Sequence, residues 1–265
     1  MRRPAEELRR MLEQTLVPPP HVTELDPDTI EATTTRLADP RGNLAELYQL
    51  NSCLTEASWS RLPDAGSTEV IVDYYLGTAA DGYDGLLDSG SRWVLPLNDA
   101  PQWVLQLLGP LALHPVVTAT LFSSDLLVGF EGSLWRLVPN RAGLQFEGTW
   151  PDSMTAELGE AVPSWHSLPF APSGVLLLVA NIVRSSYLVG DRAFRQAAIS
   201  CGTLLGMLWS VLGARPPFIQ FKATSQFLDH QVNSLVRCDG VERAVQLVAL
   251  VEPHHLSEEP ENEHI

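Results

Sequence analysis

The chain has 265 residues, 45% of them hydrophobic and 18% charged, which suffices for one sizeable buried core. Seventeen basic and 32 acidic residues leave a formal net charge of −15. That balance argues against nucleic-acid binding, which rests on phosphate neutralisation, and against an anionic membrane surface.

In chain order, Pro4–Leu16 reads as an amphipathic helix, with Leu8, Met11, Leu12 and Leu16 on one face and arginines beside it. Val17-Pro18-Pro19-Pro20 stops it. Pro27–Leu37 and Asn43–Leu50 are predicted helices, the former capped by Asp26. Glu69–Tyr75 is rich in β-formers and reads as a strand, followed by a Gly/Asp-rich loop over Gly77–Ser91. A helix over Asp99–Leu108 would be capped by Asp99. Short strands follow at Val116–Phe122, Leu126–Phe130, Leu134–Val138 and Leu144–Phe146. Asp152–Glu160 reads as a short helix and Gly174–Val183 as a central strand covered on both faces. A long apolar helix spans Asp191–Leu212, ended by Pro216-Pro217. Phe218–Phe221 is a strand, with Lys222 placed in a solvated loop after it. Ser225–Val236 is a helix and Ala244–Val251 a last buried strand.

The fold class read from this pattern is α+β, a mixed sheet flanked by helices. Residues 1–43 form a helical extension, 44–251 the main domain, and 252–265 an acidic tail expected to be disordered. Cys53, Cys201 and Cys238 are far apart and form no CxxC, so zinc and dithiol chemistry fail on spacing. The apolar runs Gly174–Ile182 and Ile199–Leu212 look too short or too interrupted to cross a bilayer. With no signal segment read at the start, a reduced, cytoplasmic protein is expected. No P-loop, HExxH or Ser/His/Asp context is present.

Several blocks have a familiar order. Leu188-Val189-Gly190-Asp191-Arg192-Ala193-Phe194-Arg195 runs into the long helix with Gly202-Thr203 and Leu212-Gly213-Ala214. Upstream stand Leu47-Tyr48-Gln49-Leu50-Asn51-Ser52, Ala112-Leu113-His114-Pro115-Val116 and Gly132-Ser133-Leu134-Trp135-Arg136-Leu137. Downstream stand Phe227-Leu228-Asp229-His230-Gln231-Val232 and Asp239-Gly240-Val241-Glu242. Together these resemble the FMN-dependent nitroreductase superfamily, in its SagB-type azoline dehydrogenase branch. That branch carries K-Y-G-x-R-x-Y-R, G-H-x-x-Q-N-L, A-L-H-P-V and G-L-Y-R-Y at corresponding places.

The resemblance implies an intertwined dimer with FMN at its interface, oxidising thiazoline or oxazoline to thiazole or oxazole in ribosomal peptide natural products. It also implies a precursor peptide and a cyclodehydratase as partners. For the cofactor it points to Arg192 and Arg195, and to Ser91 and Arg92 as the remnant of an Arg-x-Ser-x-Arg phosphate motif. The departures are chemical. Leu188-Val189 stands where the family has lysine and tyrosine, and leucine cannot take a proton. Thr203 replaces the histidine, Gly206-Met207 the Gln-Asn pair, and Leu108-Gly109-Pro110-Leu111 the P-S-A-G loop. Three readings stay open. One is a dehydrogenase component that pairs with an intact homologue. Another is a non-catalytic module that binds a precursor peptide or recruits a partner enzyme. The third is a self-sufficient FMN oxidoreductase.

Overall fold

A computed structural model describes residues 62–81, 94–139, 141–165, 172–213 and 219–253. The helices expected before residue 50, Ser91, Arg92, Cys53 and residues 254–265 of the acidic tail lie outside the described residues, whereas Glu252 and Pro253, expected in that tail, belong to the last strand. So do the boundaries drawn at 43 and 44.

The described chain runs α1 (Ala65–Asp81), β1 (Val94–Pro96), α2 (Gln102–Ala112), α3 (Pro115–Thr120), β2 (Ser124–Phe130), β3 (Ser133–Leu137) and β4 (Gly143–Thr149). It continues with α4 (Asp152–Ala161), β5 (Gly174–Asn181), α5 (Ile182–Val189), α6 (Ala193–Gly213), β6 (Ile219–Thr224), α7 (Asp229–Leu235) and β7 (Arg243–Pro253). The seven strands make one sheet in the order β1-β4-β3-β2-β5-β7-β6. The α+β class holds. Every pairing in the sheet is antiparallel, where a mixed sheet was expected.

Two stretches differ from the sequence reading. Residues 69–75 are helical, within α1. The Asp64 carboxylate accepts from Ser67 N at 2.7 Å and its carbonyl accepts from Thr68 N at 2.8 Å, which caps a helix start. Ile71, Val72 and Tyr75 then fall on one helical face, packed with Phe122 and Leu188. That 3.6 period overrides the β propensity of Val, Ile and Tyr. Gly77–Asp81 continues this helix rather than starting a loop.

Val116–Phe122 is likewise no strand: Pro115–Thr120 is α3. His114 Nδ1 accepts from Val116 N at 3.2 Å and Pro115 opens the helix, its fixed φ preset for that position. His114 is thus a capping group and not a strand entrance. Helix α2 starts at Gln102 after Pro101, and Asp99 closes a preceding 3-10 turn instead of capping it. Lys222 lies within β6, exposed on the edge strand.

The sheet is packed on both faces. On the first, Leu126, Val128, Leu176, Leu178 and Ala249 meet α2, α3 and the buried side of α6, with Ala197, Cys201, Leu204 and Leu208. On the second, Leu127, Val175, Leu177, Val179 and Leu250 meet α4 and α7 through Leu158 and Val232. Both β2 and β5 are buried at every position, as a strand covered on two sides requires.

Two register shifts break the alternation. One falls in β5–β7, where Leu178 faces Leu247 but Val179 faces Val245, leaving Gln246 extra. The other falls in β3–β4, where Leu134 faces Gly148 but Trp135 faces Phe146, leaving Glu147 extra. Helix α6, at 21 residues, is long and apolar enough to cross a bilayer by length and composition, longer than the sequence run suggested. Its buried side packs on the sheet.

The tightest backbone approach is at Gly174, where a Cβ would stand 2.5 Å from the Trp103 ring and 3.0 Å from Gly129 O. Gly174→Ala is expected to lower stability by about 1–3 kcal/mol through overpacking. Gly159→Ala in α4, where a Cβ meets nothing within 4 Å, should be neutral or stabilising by up to about 1 kcal/mol. Thermal unfolding followed by circular dichroism checks the pair. Equal melting points would contradict the packing at Gly174.

Candidate functional site

Asp125 is the second residue of β2 and 3% exposed. It shares the parity of Leu127, so it lies on the second face, beyond the end of the apolar core there. Three arginines reach it. Arg184 Nη2, from α5, donates to Oδ1 at 2.5 Å. Arg243 Nη2, from the start of β7, donates to Oδ2 at 3.3 Å. Arg136 Nη1, from β3, stands 4.0 Å from Oδ1. Asn181, the last residue of β5, approaches Oδ2 with its amide at 3.5 Å, while its side-chain oxygen accepts from Arg184 N at 3.1 Å and so caps α5.

Two further layers hold the arginines. Arg136 donates to Glu147 Oε1 at 2.6 Å and to Gln145 Oε1 at 2.5 Å. Arg184 donates from Nη1 to the Tyr75 hydroxyl at 2.8 Å and lies 4.7 Å over that ring. Tyr75 in turn donates to Leu121 O at 3.1 Å and meets Phe122 edge-on at 5.2 Å. The result is a row of polar side chains across β4, β3, β2, β5 and β7, joined to α1 and α5.

Both register shifts serve this row. Glu147 is the extra residue of one. Counting back from Leu247 and Ala249, which face α6, the other shift turns Val245 and Arg243 to the second face.

Burial on its own pushes the Asp125 carboxyl up, but the charges of Arg184, Arg136 and Arg243 outweigh it and hold the group far below the ordinary carboxylate range. It is therefore a fixed anion and no proton-transfer group. Burial pushes the Cys201 thiol up to about 12, with the Asp125 charge adding to it, and the Cys238 thiol up to about 11. Both stay protonated at neutral pH and are poor nucleophiles. Three guanidiniums face two carboxylates here, and the Nε atoms of Arg184 and Arg243 are buried without an acceptor. The Arg243 side chain is 37% exposed, so this cationic excess has one edge at solvent.

Arg192 and Arg195 lie elsewhere. Arg192 closes the 3-10 turn before α6, and Arg195 sits in the first turn of that helix, both half-buried. Neither is among the groups that contact Asp125. Leu188, at the place of the family lysine, packs against Tyr75 and Phe122. Thr203 donates its hydroxyl to Ile199 O at 3.0 Å within α6. Sequence reasoning missed the Asp125 row. The available signal was a charge inside each of two apolar strands, Asp125 in Ser124–Phe130 and Arg136 in Ser133–Leu137.

No protein-family model and no characterised protein sequence matches the chain. Among solved structures, it is similar to a protein from Anabaena variabilis described as a nitroreductase, at 16% identity and a TM-score of 0.47. That match covers 69% of this chain and 46% of the other, so the chain spans less than half of the Anabaena protein's length. A second similarity is to a chain of the E. coli microcin synthetase McbBCD complex with truncated pro-MccB17 bound, at 13% identity, 89% and 97% coverage and a TM-score of 0.47. A third is to CLA-ER, an enone reductase of gut-bacterial fatty acid saturation metabolism, at 12% identity, 64% and 88% coverage and a TM-score of 0.39.

Asp125→Asn keeps the shape and removes the charge, leaving three guanidiniums facing Glu147 alone. Breaking a buried pair in this way is expected to cost about 3–5 kcal/mol. The pH dependence has a definite sign. A carboxyl with a depressed folded pKa contributes stability that is present above its unfolded value of about 3.9 and is lost as pH falls below it. Denaturant titrations between neutral and acid pH should show that loss in the parent and a shallower acid slope in Asp125→Asn. Identical slopes would mean that Asp125 is not a buried anion.

Proposed function

We propose that this chain is a component of an FMN-dependent azoline dehydrogenase acting on a ribosomal peptide, completed by a second, related chain. The observation that carries the reading is helix α6. Its start holds Arg192 and Arg195, the best-matched charged positions of the family motif. Its length carries an uncovered apolar stripe, with Ile199 57% and Trp209 49% exposed and Gly202 and Gly206 between them. A helix apolar on nearly every face needs cover on nearly every face, and a second chain is the cover proposed.

FMN would supply the two-electron acceptor for conversion of an azoline to an azole. The described residues of one chain do not fit that group by themselves. Arg192 and Arg195 are suited to an anion, since each carries a permanent charge and several donors. Yet position 188 is a packed leucine, and the Thr203 hydroxyl is turned to its own helix. The arginines around Asp125 are committed to that carboxylate. What this chain contributes is thus anchorage and half of an interface, and the partner contributes the proton-transfer group. A precursor peptide and a cyclodehydratase complete the proposed assembly.

A second reading is favoured by Leu188 specifically. Its contacts with Tyr75 and Phe122 are those of a core residue, as expected of a non-catalytic module that binds the peptide or recruits an enzyme.

Isolated protein is expected to purify with little flavin, and to retain FMN when co-expressed with an intact homologue. Near-stoichiometric flavin in the isolated chain would replace this reading with a self-sufficient oxidoreductase. In the full complex, Arg192→Ala or Arg195→Ala should cut azole formation roughly tenfold to a hundredfold, as for one lost charge-assisted bond of about 1.5–3 kcal/mol. Unchanged activity with lowered stability would assign these arginines to the helix start and support the non-catalytic module.

Assembly is tested separately. A Cβ at Gly206 meets nothing within 4 Å in its own chain, so Gly206→Leu should leave the protomer folded and weaken the dimer. Light scattering at micromolar concentration reads this. A monomer that the substitution does not alter would refute the covered stripe.

A further inference from the structure

Among the described residues, helix α1 rests on the body of the fold chiefly through one side chain. Over 65–75, where its side chains are described, only Tyr75 is buried, at 4% exposed, with Ile71 and Val72 half-buried beside it. Val70 and Tyr74 are 68% and 67% exposed. The small cluster that Tyr75 forms with Phe122 and Leu188 is separate from the two apolar layers that flank the sheet. The Tyr75 hydroxyl donates to Leu121 O at 3.1 Å and accepts from Arg184 Nη1 at 2.8 Å, and the Arg184 guanidinium lies 4.7 Å over the ring. Arg184 also has acceptors that do not involve α1: Asp125 Oδ1 at 2.5 Å and Ser124 O at 3.2 Å.

The sequence of α1 does not favour a helix by itself. Thr68, Val70, Ile71 and Val72 are β-branched, Tyr74 and Tyr75 are aromatic, and Gly66 and Gly77 flank them. All are weak helix formers, and a helix of this length is marginal in water even when built from good ones. Residues 69–75 are therefore helical because they are docked, so undocking and melting are one event. We propose that α1 is a detachable clasp, which opens as a unit while the sheet stays folded, with Tyr75 as its pin and Arg184 as the catch that holds the pin. Three features converge. An element with one buried side chain and a solvent-exposed face belongs to the low-stability end of a structure. Its local preference contradicts its folded state, so no intrinsic helicity resists opening. And the sheet does not depend on it: both main cores are built without α1, and the Asp125–Arg184 pair persists when Tyr75 leaves. Opening uncovers Phe122, Leu188 and the side of Arg184 that Tyr75 now occupies.

Native-state hydrogen exchange of the full chain, read by mass spectrometry on peptides from α1 and from β5, tests this. Amides of α1 are expected to be protected, yet to exchange at least about a hundredfold faster than those of β5. Low concentrations of urea should leave the α1 rate nearly unchanged, since its opening exposes little surface. Tyr75→Phe keeps the ring against Phe122 and removes the hydroxyl, so it should speed α1 exchange roughly tenfold and leave β5 unaltered. Arg184→Lys keeps a charge near Asp125 and loses the planar group over the ring, so it should speed α1 as well. Because the two variants remove one shared contact, the double variant should speed α1 by less than the product of the single effects. Val70→Ser, on the exposed side, should change the α1 rate by no more than about twofold. Exchange of α1 only together with β5, exchange of α1 in the parent at the rate of an unprotected chain, or Tyr75→Phe accelerating α1 and β5 alike or abolishing the fold would overturn the clasp. Effects of Tyr75→Phe and Arg184→Lys that simply multiply would remove Arg184 as its catch.

Discussion

The pair between Asp125 and Arg184 is the constraint on which much of this fold depends. A carboxylate taken from water into the end of a sheet is stable only if its partners are close and its lone pairs are used. Asp125 meets that demand by drawing on β3, β5, β7 and α5 together. Arg184 extends the demand outward, because its other face lies on Tyr75 and so ties α1 to the sheet. Remove the anion and elements far apart in the chain lose a common anchor. The ionic row also explains why α5 begins where it does. Asn181 ends β5, caps α5 and contacts Asp125, so one side chain links the strand end, the helix start and the buried charge.

The molecule has two chemically opposite ends along β2. At Asp125 cations are in excess and the acids are fully engaged. At the other end, around Phe130–Gly132, the acids Glu131 and Asp152 have no ion-pair partner among the described residues, and the Trp150 and Trp165 rings beside them are buried. The apolar middle of the strand, Leu126–Val128, separates the two. Asp125 is held ionised and the Cys201 and Cys238 thiols are held protonated, so none of these three is a proton-transfer group at neutral pH. Arg192 and Arg195, singled out by the sequence resemblance, stand at a third place, around the start of α6.

Much of the sheet was legible because its strands are short apolar runs bounded by turn residues. β2, β3, β4, β5 and β7 all fall close to the places the pattern puts them, as do α4 and α6. The α1 segment was misread because Glu69–Tyr75 is full of β-formers, while the signals that make it a helix are a cap at Asp64 and a buried face that needs Phe122 and Leu188. The α3 segment was misread for a similar reason: Val116 and Val117 look like a strand until His114-Pro115 is read as a helix start. The Asp125 row could not be assembled from sequence. Its members are spread from Tyr75 to Arg243, and none forms a spaced motif. Only the third dimension, and two register shifts, bring them together.

The extra residue at Gln246 makes the position of Arg243 a matter of counting. Were Gln246 paired opposite Val179 instead of standing extra, everything before it in β7 would swing by half a pleat. Val245 would leave the second core, and the Arg243 guanidinium would enter the apolar layer beneath α6, losing Asp125 and gaining no acid. A lineage of such chains would therefore tolerate insertions in the turn after Cys238 far better than a change that draws the extra residue into the ladder between Arg243 and Leu247. The strand behaves there like a reading frame, in which counting the extra unit in would corrupt the meaning of all that precedes it.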